Sequence, residues 1–485
     1  MAIVTRRDFV GGALLAPGAL TGAVVHRPNF LFLFPDQFRF DWLGGDPRLP
    51  VRTPNLDALA TRGARFTKAV VASPVCAPSR ACLASGREYD SCGVASNNHN
   101  YPVPQPTYYR SLVDVGYYTA ACGKLDLSKP AHDQGLDGRN HMKEWGFSDM
   151  INCGGKGDAL ARNGAEHPHE PYMAYLESLG LAKVHGEDFL KRGGLSDYSK
   201  TFPTPLPDDA YCDNWIGRCG LNLMKRFPAG KPWHLVVNFA GPHNPEDITA
   251  RMEKSVRGRA FPPPNGSLQY TPEIHNTIRQ NYTAMVENLD RWVGIYVDEL
   301  RRRGELDNTV IAFSSDHGEM LGDHNRWAKS VPYEASLCVP LIVAGPGVKR
   351  GQRSNALVSS IDIPATFLDY AGGSMPEGAT AKSLRPLLEG KTHTHREYLS
   401  SGLLGWRLVT DGRYKLIRGF TPTGGRGAAA QDSTGLPSLL FDLEADPLEN
   451  TNFIDKAPDV AARLAKLLPP PNPDPNYSGR RLALP

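Results

Sequence analysis

Residues 29–37 read NFLFLFPDQ, an unbroken apolar run halted by a proline and then by Asp36 and Gln37. A run that is apolar at every position suits a strand buried on both faces, as the strands of a parallel sheet are. The same shape recurs along the chain. YYTAACGK (117–124) ends on Lys124, HLVVNFAGPH (234–243) ends on His243, and TVIAFSSDHGE (309–319) passes through Asp316 and His317. Segments such as TPNLDALATRGARF (53–66) and PTYYRSLVDVG (106–116) are long enough for helical crossovers between such strands. The expected fold is therefore α/β, a large and mostly parallel sheet sandwiched by helices. In open sheets of this class chemistry collects beyond the carboxyl ends of the strands, so Asp36, Lys124, His243, Asp316 and His317 are expected to converge.

Composition narrows the field without deciding it. The 485 residues carry 54 Lys and Arg against 51 Asp and Glu, a formal net charge of +3, so overall charge implies no polyanionic or nucleic-acid partner. The run Arg301–Arg303 closes a helical stretch (281–304), where cations suit the negative end of the helix. Eight cysteines in so long a chain make no dense disulfide framework, and none has the C-x-x-C spacing of a zinc site. The paired histidines of EHPHE (His167, His169) and THTHRE (His393, His395) lack an assignable third ligand and read as surface loops.

The ends of the chain differ from its middle. TRRDF (5–9) followed by VGGALLAPGALTGAVV (10–25) has the look of a twin-arginine export signal, expected over residues 1–27, with cleavage near Ala23. That apolar stretch is too short to span a bilayer, and no other segment is a transmembrane candidate. The mature protein is expected in the periplasm or outside the cell, delivered by the twin-arginine translocase. Residues 151–232, rich in Gly, Pro, His and charge, read as an insertion within a main domain spanning 28–386. From 387 to 485 the pattern shortens. Asp411-Gly412 between WRLVT and RYKLIRG signals a hairpin, so a small α+β unit with an antiparallel sheet is expected, followed by a proline-rich tail.

Between these lies SPVCAPSRACLASGRE (73–88). Pro78 suits the first turn of a helix and Gly86 its end, which puts Cys76 at a helix N-terminus, where free N–H groups favour an anion. Arg80 lies one turn on. A plain thiolate would be the obvious nucleophile, yet no Cys-His-Asn order is defensible elsewhere in the chain.

The stretch CAPSRACLASGR (76–87) resembles the C-x-P-S-R signature of the type I, formylglycine-dependent sulfatases of the alkaline phosphatase-like superfamily. The resemblance continues in order through RPNFLFLFPDQ (27–37), TPNLDALATRGARF (53–66), the segment 314–347, SSIDIPATFLDYAG (359–372) and LFDLEADPLENTN (440–452). It implies hydrolysis of sulfate monoesters, here expected on a sulfated carbohydrate. It also implies that Cys76 is oxidised to formylglycine by a cytoplasmic formylglycine-generating enzyme before the folded protein is exported. The hydrated aldehyde carries two hydroxyls: one attacks sulfur, and the second loses its proton to re-form the aldehyde and eject sulfate. A thiol has no second hydroxyl.

By the same resemblance a divalent cation is held by Asp36, Gln37, residue 76, Asp316 and His317. Calcium is the first choice for so oxygen-rich a set, with manganese, magnesium or zinc as alternatives. Arg80 is expected to hold the hydroxyl of residue 76, Lys124 and Lys329 to bind the sulfate or leaving oxygen, and His243 to act as general acid or sulfate donor. His324 is expected to line the substrate pocket. Two positions depart from the family pattern. Neutral Gln37 follows Asp36 where paired aspartates are common, a pairing also met among relatives that cleave phosphate diesters. GKLD places Asp126 where G-K-x-H is frequent, and Asp126 is assigned to substrate binding, with orienting Lys124 or serving as a base left open. The alternative activities are a phosphodiesterase or phosphonate monoester hydrolase of the same superfamily, or a catalytically silent glycan-binding protein.

Overall fold

The computed structural model describes residues 27–422 and 437–469. The expected export signal (1–27), save its last residue, and the tail from 470 lie outside the described residues. Twelve strands are present among those described: β1 (Asn29–Leu33), β2 (Gly63–Val70), β3 (Tyr118–Gly123), β4 (Asp149–Asn152), β5 (Trp233–Asn238), β6 (Thr309–Phe313), β7 (Leu341–Ala344), β8 (Gln352–Ser359), β9 (Leu399–Leu403), β10 (Trp406–Thr410), β11 (Tyr414–Arg418) and β12 (Pro437–Asp442). The first eight form one sheet in the order β4-β3-β5-β1-β6-β7-β2-β8. Pairing is parallel except at β7, which runs against both β6 and β2.

Each apolar run of the sequence becomes a central strand, and its period of two splits it between two cores. Phe30, Phe32, Val236, Val310 and Ala312 face one layer with the helices Cys76–Ser85 and Asp362–Ala371. Leu31, Leu33, Leu235, Val237, Ile311 and Phe313 face the other, with the helices Cys212–Met224 and Pro272–Arg302. Burying each such side chain contributes about 1.5–3 kcal/mol, which is why these runs tolerate no polar residue until they leave the sheet. No helix of the described residues is long and apolar enough to cross a membrane.

The stretch read as an insertion carries more regular structure than its composition announces. β4 opens it at the sheet edge, helices Pro171–Ser178 and Ala182–Lys191 follow, and Cys212–Met224 packs on β3 and β5 as a crossover. Strand periodicity was weak there because the segment is largely helical.

The C-terminal sheet is an antiparallel meander, β12-β11-β10-β9, as expected. Its hairpin turns where DG predicts: Gly412 has φ +87, and the Asp411 carboxylate accepts hydrogen bonds from the N–H groups of Arg413 and Tyr414. A small core of Val409, Leu416 and Leu440 is covered by helix Pro458–Ala465, with Leu464 fully buried.

Candidate active site

The site is assembled by backbone that overruns the strand ends. Past β1, the N–H of Phe34 donates to Val237 O (2.9 Å) and that of Asp36 to Phe239 O (3.1 Å), so parallel pairing carries Asp36 to the residues beyond β5. Past β3, Lys124 N–H donates to Asn238 O (2.9 Å). Gly123 makes this approach feasible: at φ +89, a Cβ there would sit 1.9 Å from Asn238 O. The helix Cys76–Ser85 begins after an extended Val75 and ends at left-handed Gly86 (φ +67), as the sequence predicted. Its N-terminus is capped from a distance, by Asn97 Oδ1 accepting from Ala77 N–H (3.0 Å).

Cys76 Sγ lies 3.3 Å from His317 Nε2, 3.0 Å from Lys329 Nζ, 3.7 Å from Lys124 Nζ and 3.9 Å from Asp36 Oδ1. Burial and Asp36 push the Cys76 thiol up, but Lys124, Lys329 and His317 outweigh them and bring its pKa down to about 5. The position is thus built for an anion. Asp36 is itself fully buried, which favours its neutral form; Lys124, Lys329 and Arg80 override burial and hold it well below the usual carboxylate range.

Asp36, Cys76, Asp316 and His317 are the one group of metal-ligating side chains among the described residues, with donor atoms all within 4.8 Å of one another. His317 Nδ1 donates to Gly318 O (3.0 Å), which directs Nε2 toward the cluster. Two buried carboxylates, an imidazole nitrogen so oriented and the side chain of residue 76 fit a divalent cation.

Several expected roles change in the folded molecule. Arg80 does not bond to residue 76. Its Nε reaches Asp316 (3.0 Å), Nη2 reaches Asp36 (3.4 Å), and Nη1 donates to Lys124 O (2.6 Å) and Asn238 Oδ1 (3.0 Å). It ties the two carboxylates together, since a side chain four residues into the helix points at the strand ends and not at the helix start. Gln37, expected among the metal ligands, accepts from Lys329 Nζ through Oε1 (2.7 Å) and donates through Nε2 to Glu319. Its side chain holds Lys329.

Asp126 is buried beneath Lys124 (3.0 Å) and Lys129 (2.8 Å) and is absent from the cavity wall, so the substrate-binding assignment gives way to orientation of Lys124. Burial opposes its charge, but the two lysines prevail and hold its pKa below the ordinary value. His324 misses the cavity altogether. Left-handed backbone at Leu321 and His324 swings its ring outward, where it stacks on Tyr333 at 4.1 Å and bonds Leu448 O (2.9 Å). His395 is tied to Asp362 (3.1 Å) and serves the fold.

Cys76, Lys124, His243 and Lys329 open onto one cavity of about 540 Å³, whose outer wall includes Tyr198 and Trp327. His243 Nδ1 donates to Asn244 O (2.6 Å), leaving Nε2 as an acceptor. Burial, then the Lys329 charge, holds His243 well below its ordinary pKa against the pull of Asp36. Sequence reasoning missed Asn97, Lys129, Lys156, Asn244, Tyr198 and Trp327 in this wall. Lys156 anchors the loop that carries His243, through His243 O (3.2 Å) and Asp247 (2.6 Å), yet in sequence it is a lone lysine among glycines.

A family model described as Sulfatase matches residues 28–374. The chain belongs to the sulfatase family. A second model, N-sulphoglucosamine sulphohydrolase, C-terminal, matches residues 322–469. This sulfatase is a sulfuric ester hydrolase by class, and its fold is the alkaline phosphatase-like one that the resemblance implied. It is similar to an arylsulfatase of Clostridium perfringens, 27% identical over 88% of this chain and 90% of that protein. It is also similar to an N-acetylglucosamine-6-O-sulfatase of Bacteroides thetaiotaomicron, 25% identical over 89% of this chain and 83% of that protein. The crystal structure of the phosphonate monoester hydrolase of Agrobacterium radiobacter superimposes with a TM-score of 0.72 at 22% identity, covering 91% of this chain and 94% of that one, and so shares the fold.

Proposed function

We propose that this sulfatase removes sulfate from a sulfated carbohydrate, with residue 76, matured to formylglycine, as nucleophile, and with calcium held by Asp36, Asp316, His317 and residue 76. The observation that carries this reading is the meeting of Cys76, Lys124, Lys329 and His243 on one cavity above a buried, ligand-rich cluster. When bound, the cation lowers the pKa of a neighbouring hydroxyl and neutralises sulfate oxygens. Formylglycine, when present, offers the second hydroxyl that a thiol lacks.

The chain's own residues supply the rest. Lys124 and Lys329, each within 3.7 Å of Cys76 Sγ, can bind sulfate oxygens beside the nucleophile. Gln37 and Asp126 orient these two lysines from behind. His243 enters neutral; the negative charge of a bound sulfate ester raises its proton affinity, so that Nε2 can take a proton and pass it to the leaving oxygen. Trp327 and Tyr198, packed on each other with ring centroids 4.5 Å apart, contribute a rigid apolar part of the cavity wall. The carbohydrate assignment draws on the N-acetylglucosamine-6-O-sulfatase relative. Maturation by a cytoplasmic formylglycine-generating enzyme and export through the twin-arginine route to the periplasm rest on CAPSR and on the Arg6-Arg7 pair.

One observation favours a second reading. Gln37 puts a neutral residue beside Asp36, as in phosphodiester-cleaving relatives, so a phosphonate monoester or phosphodiester is the alternative substrate. Steady-state rates on 4-nitrophenyl sulfate, 4-nitrophenyl phenylphosphonate and N-acetylglucosamine 6-sulfate separate the two. The sulfate esters are expected to have the higher kcat/KM. A higher value for the phosphonate would overturn the substrate assignment.

A further inference from the structure

Away from the catalytic cavity, two arginines face each other without partners among the described residues. Arg65 of β2 and Arg353 of β8 are paired in parallel register, so both side chains stand on the same face of the sheet. Like charges directly opposite one another destabilise a sheet. Among the described residues neither guanidinium makes a hydrogen bond or ion pair, and only Asp57 exerts an opposing field on Arg65. Burial, then Arg353, pulls the Arg65 pKa below its ordinary value.

The two arginines line a cleft of about 340 Å³ together with Phe40 and Phe66. Two carboxylates share its wall, and both are engaged elsewhere. Asp41 is forked by Arg39 at 2.7 and 3.1 Å, and Asp46 by Arg48 at 2.7 and 3.0 Å. The cleft therefore keeps two uncompensated cations. Arg353 also lines an adjoining cleft of about 310 Å³ with exposed Lys349 and Arg350, which likewise have no ion-pair partner among the described residues. Four cations, Arg65 of β2, Arg353 of the edge strand β8 and Lys349 and Arg350 just before it, thus line two clefts that share Arg353, which a net charge of only +3 conceals.

We propose that this basic pair of clefts binds the sulfate groups of a polymeric sulfated glycan, at a distance from the sulfate being cleaved. The proposal rests on the sulfated-carbohydrate reading above and adds that the substrate is a chain. An arginine fork can take two oxygens of one sulfate group at once, and half-buried Phe40 lines the same cleft. Arg65 is five residues from the end of β2, about 17 Å of strand, and the catalytic helix begins beyond that end. One sulfated sugar cannot fill both places, whereas a polymer can.

The test is a calorimetric titration of the full-length protein with dextran sulfate, with neutral dextran and polyuridylic acid as comparisons. It uses the wild type and two double variants, Arg65→Gln with Arg353→Gln and Lys349→Gln with Arg350→Gln. The wild type is expected to bind dextran sulfate and not neutral dextran. Each double variant is expected to lose at least about tenfold in affinity, the size of a lost charged hydrogen bond. Turnover of 4-nitrophenyl sulfate should be unchanged in both. If the first variant fails to fold, the second, confined to an exposed segment, still decides. Undiminished affinity in the folded variants, or equal affinity for polyuridylic acid, would overturn the proposal. A wild type inert toward 4-nitrophenyl sulfate would count against the catalytic reading instead and leave the titration readable.

Discussion

Replacing Cys76 with alanine is expected to abolish sulfate ester hydrolysis, by a factor on the order of 10⁴ or more, while the protein still folds. The activity loss follows from position. Residue 76 touches both lysines that face the cavity and His317 in the metal cluster, and no other cysteine shares that wall. Folding survives because Cys76 is the first residue of its helix, where the N–H has no intrahelical partner to lose. Alanine is a good helix former, and loss of one sulfur leaves only a small void, costing about 1 kcal/mol. Melting by circular dichroism beside turnover of 4-nitrophenyl sulfate checks both halves. A folded variant with wild-type rates would remove residue 76 from the chemistry.

Arg80→Ala should strike stability instead, at about 3–5 kcal/mol, the cost of leaving buried charge unpaired. Arg80 is nearly inaccessible and ties Asp36 and Asp316, both fully buried, while filling the acceptors Lys124 O and Asn238 Oδ1. Its removal leaves two carboxylates sharing fewer cations and two acceptors unsatisfied. Arg80→Lys keeps one charge but cannot span the same four oxygens, so it should recover part of the loss. Chemical denaturation reads the effect. An unchanged midpoint in the alanine variant would mean that Lys124 and Lys329 suffice to neutralise the cluster. Activity should fall in either variant, because the carboxylates that define the metal cluster would no longer be fixed.

The strands were legible because burial on both faces leaves so plain a mark. NFLFLFPDQ and TVIAFSSDHGE could be little else, and the polar residues that stop them are those that meet in the site. Cys76 was legible through its helix punctuation, Pro78 in the first turn and Gly86 after the last. Roles that depend on reach across the fold were not. Arg80 was assigned to residue 76 from its place one turn along the helix, but a long side chain is aimed by its helix, and this one points at the carboxylates. Gln37 looked like a ligand beside Asp36, yet its backbone is left-handed (φ +69), and its side chain turns to Lys329 and Glu319. His324 was placed in the pocket by nearness in sequence to the catalytic segment; its left-handed backbone, invisible in composition, directs it elsewhere. The reversed direction of β7 also left no mark, since a four-residue apolar run reads alike both ways.

The account turns on residue 76 being formylglycine, and the most direct test is mass spectrometry of the tryptic peptide Ala69–Arg80 from protein made in its own host. The predicted result is the mass of the aldehyde, or of its hydrate, at position 76 in the active fraction. An intact Cys76 thiol in protein of full specific activity would contradict it.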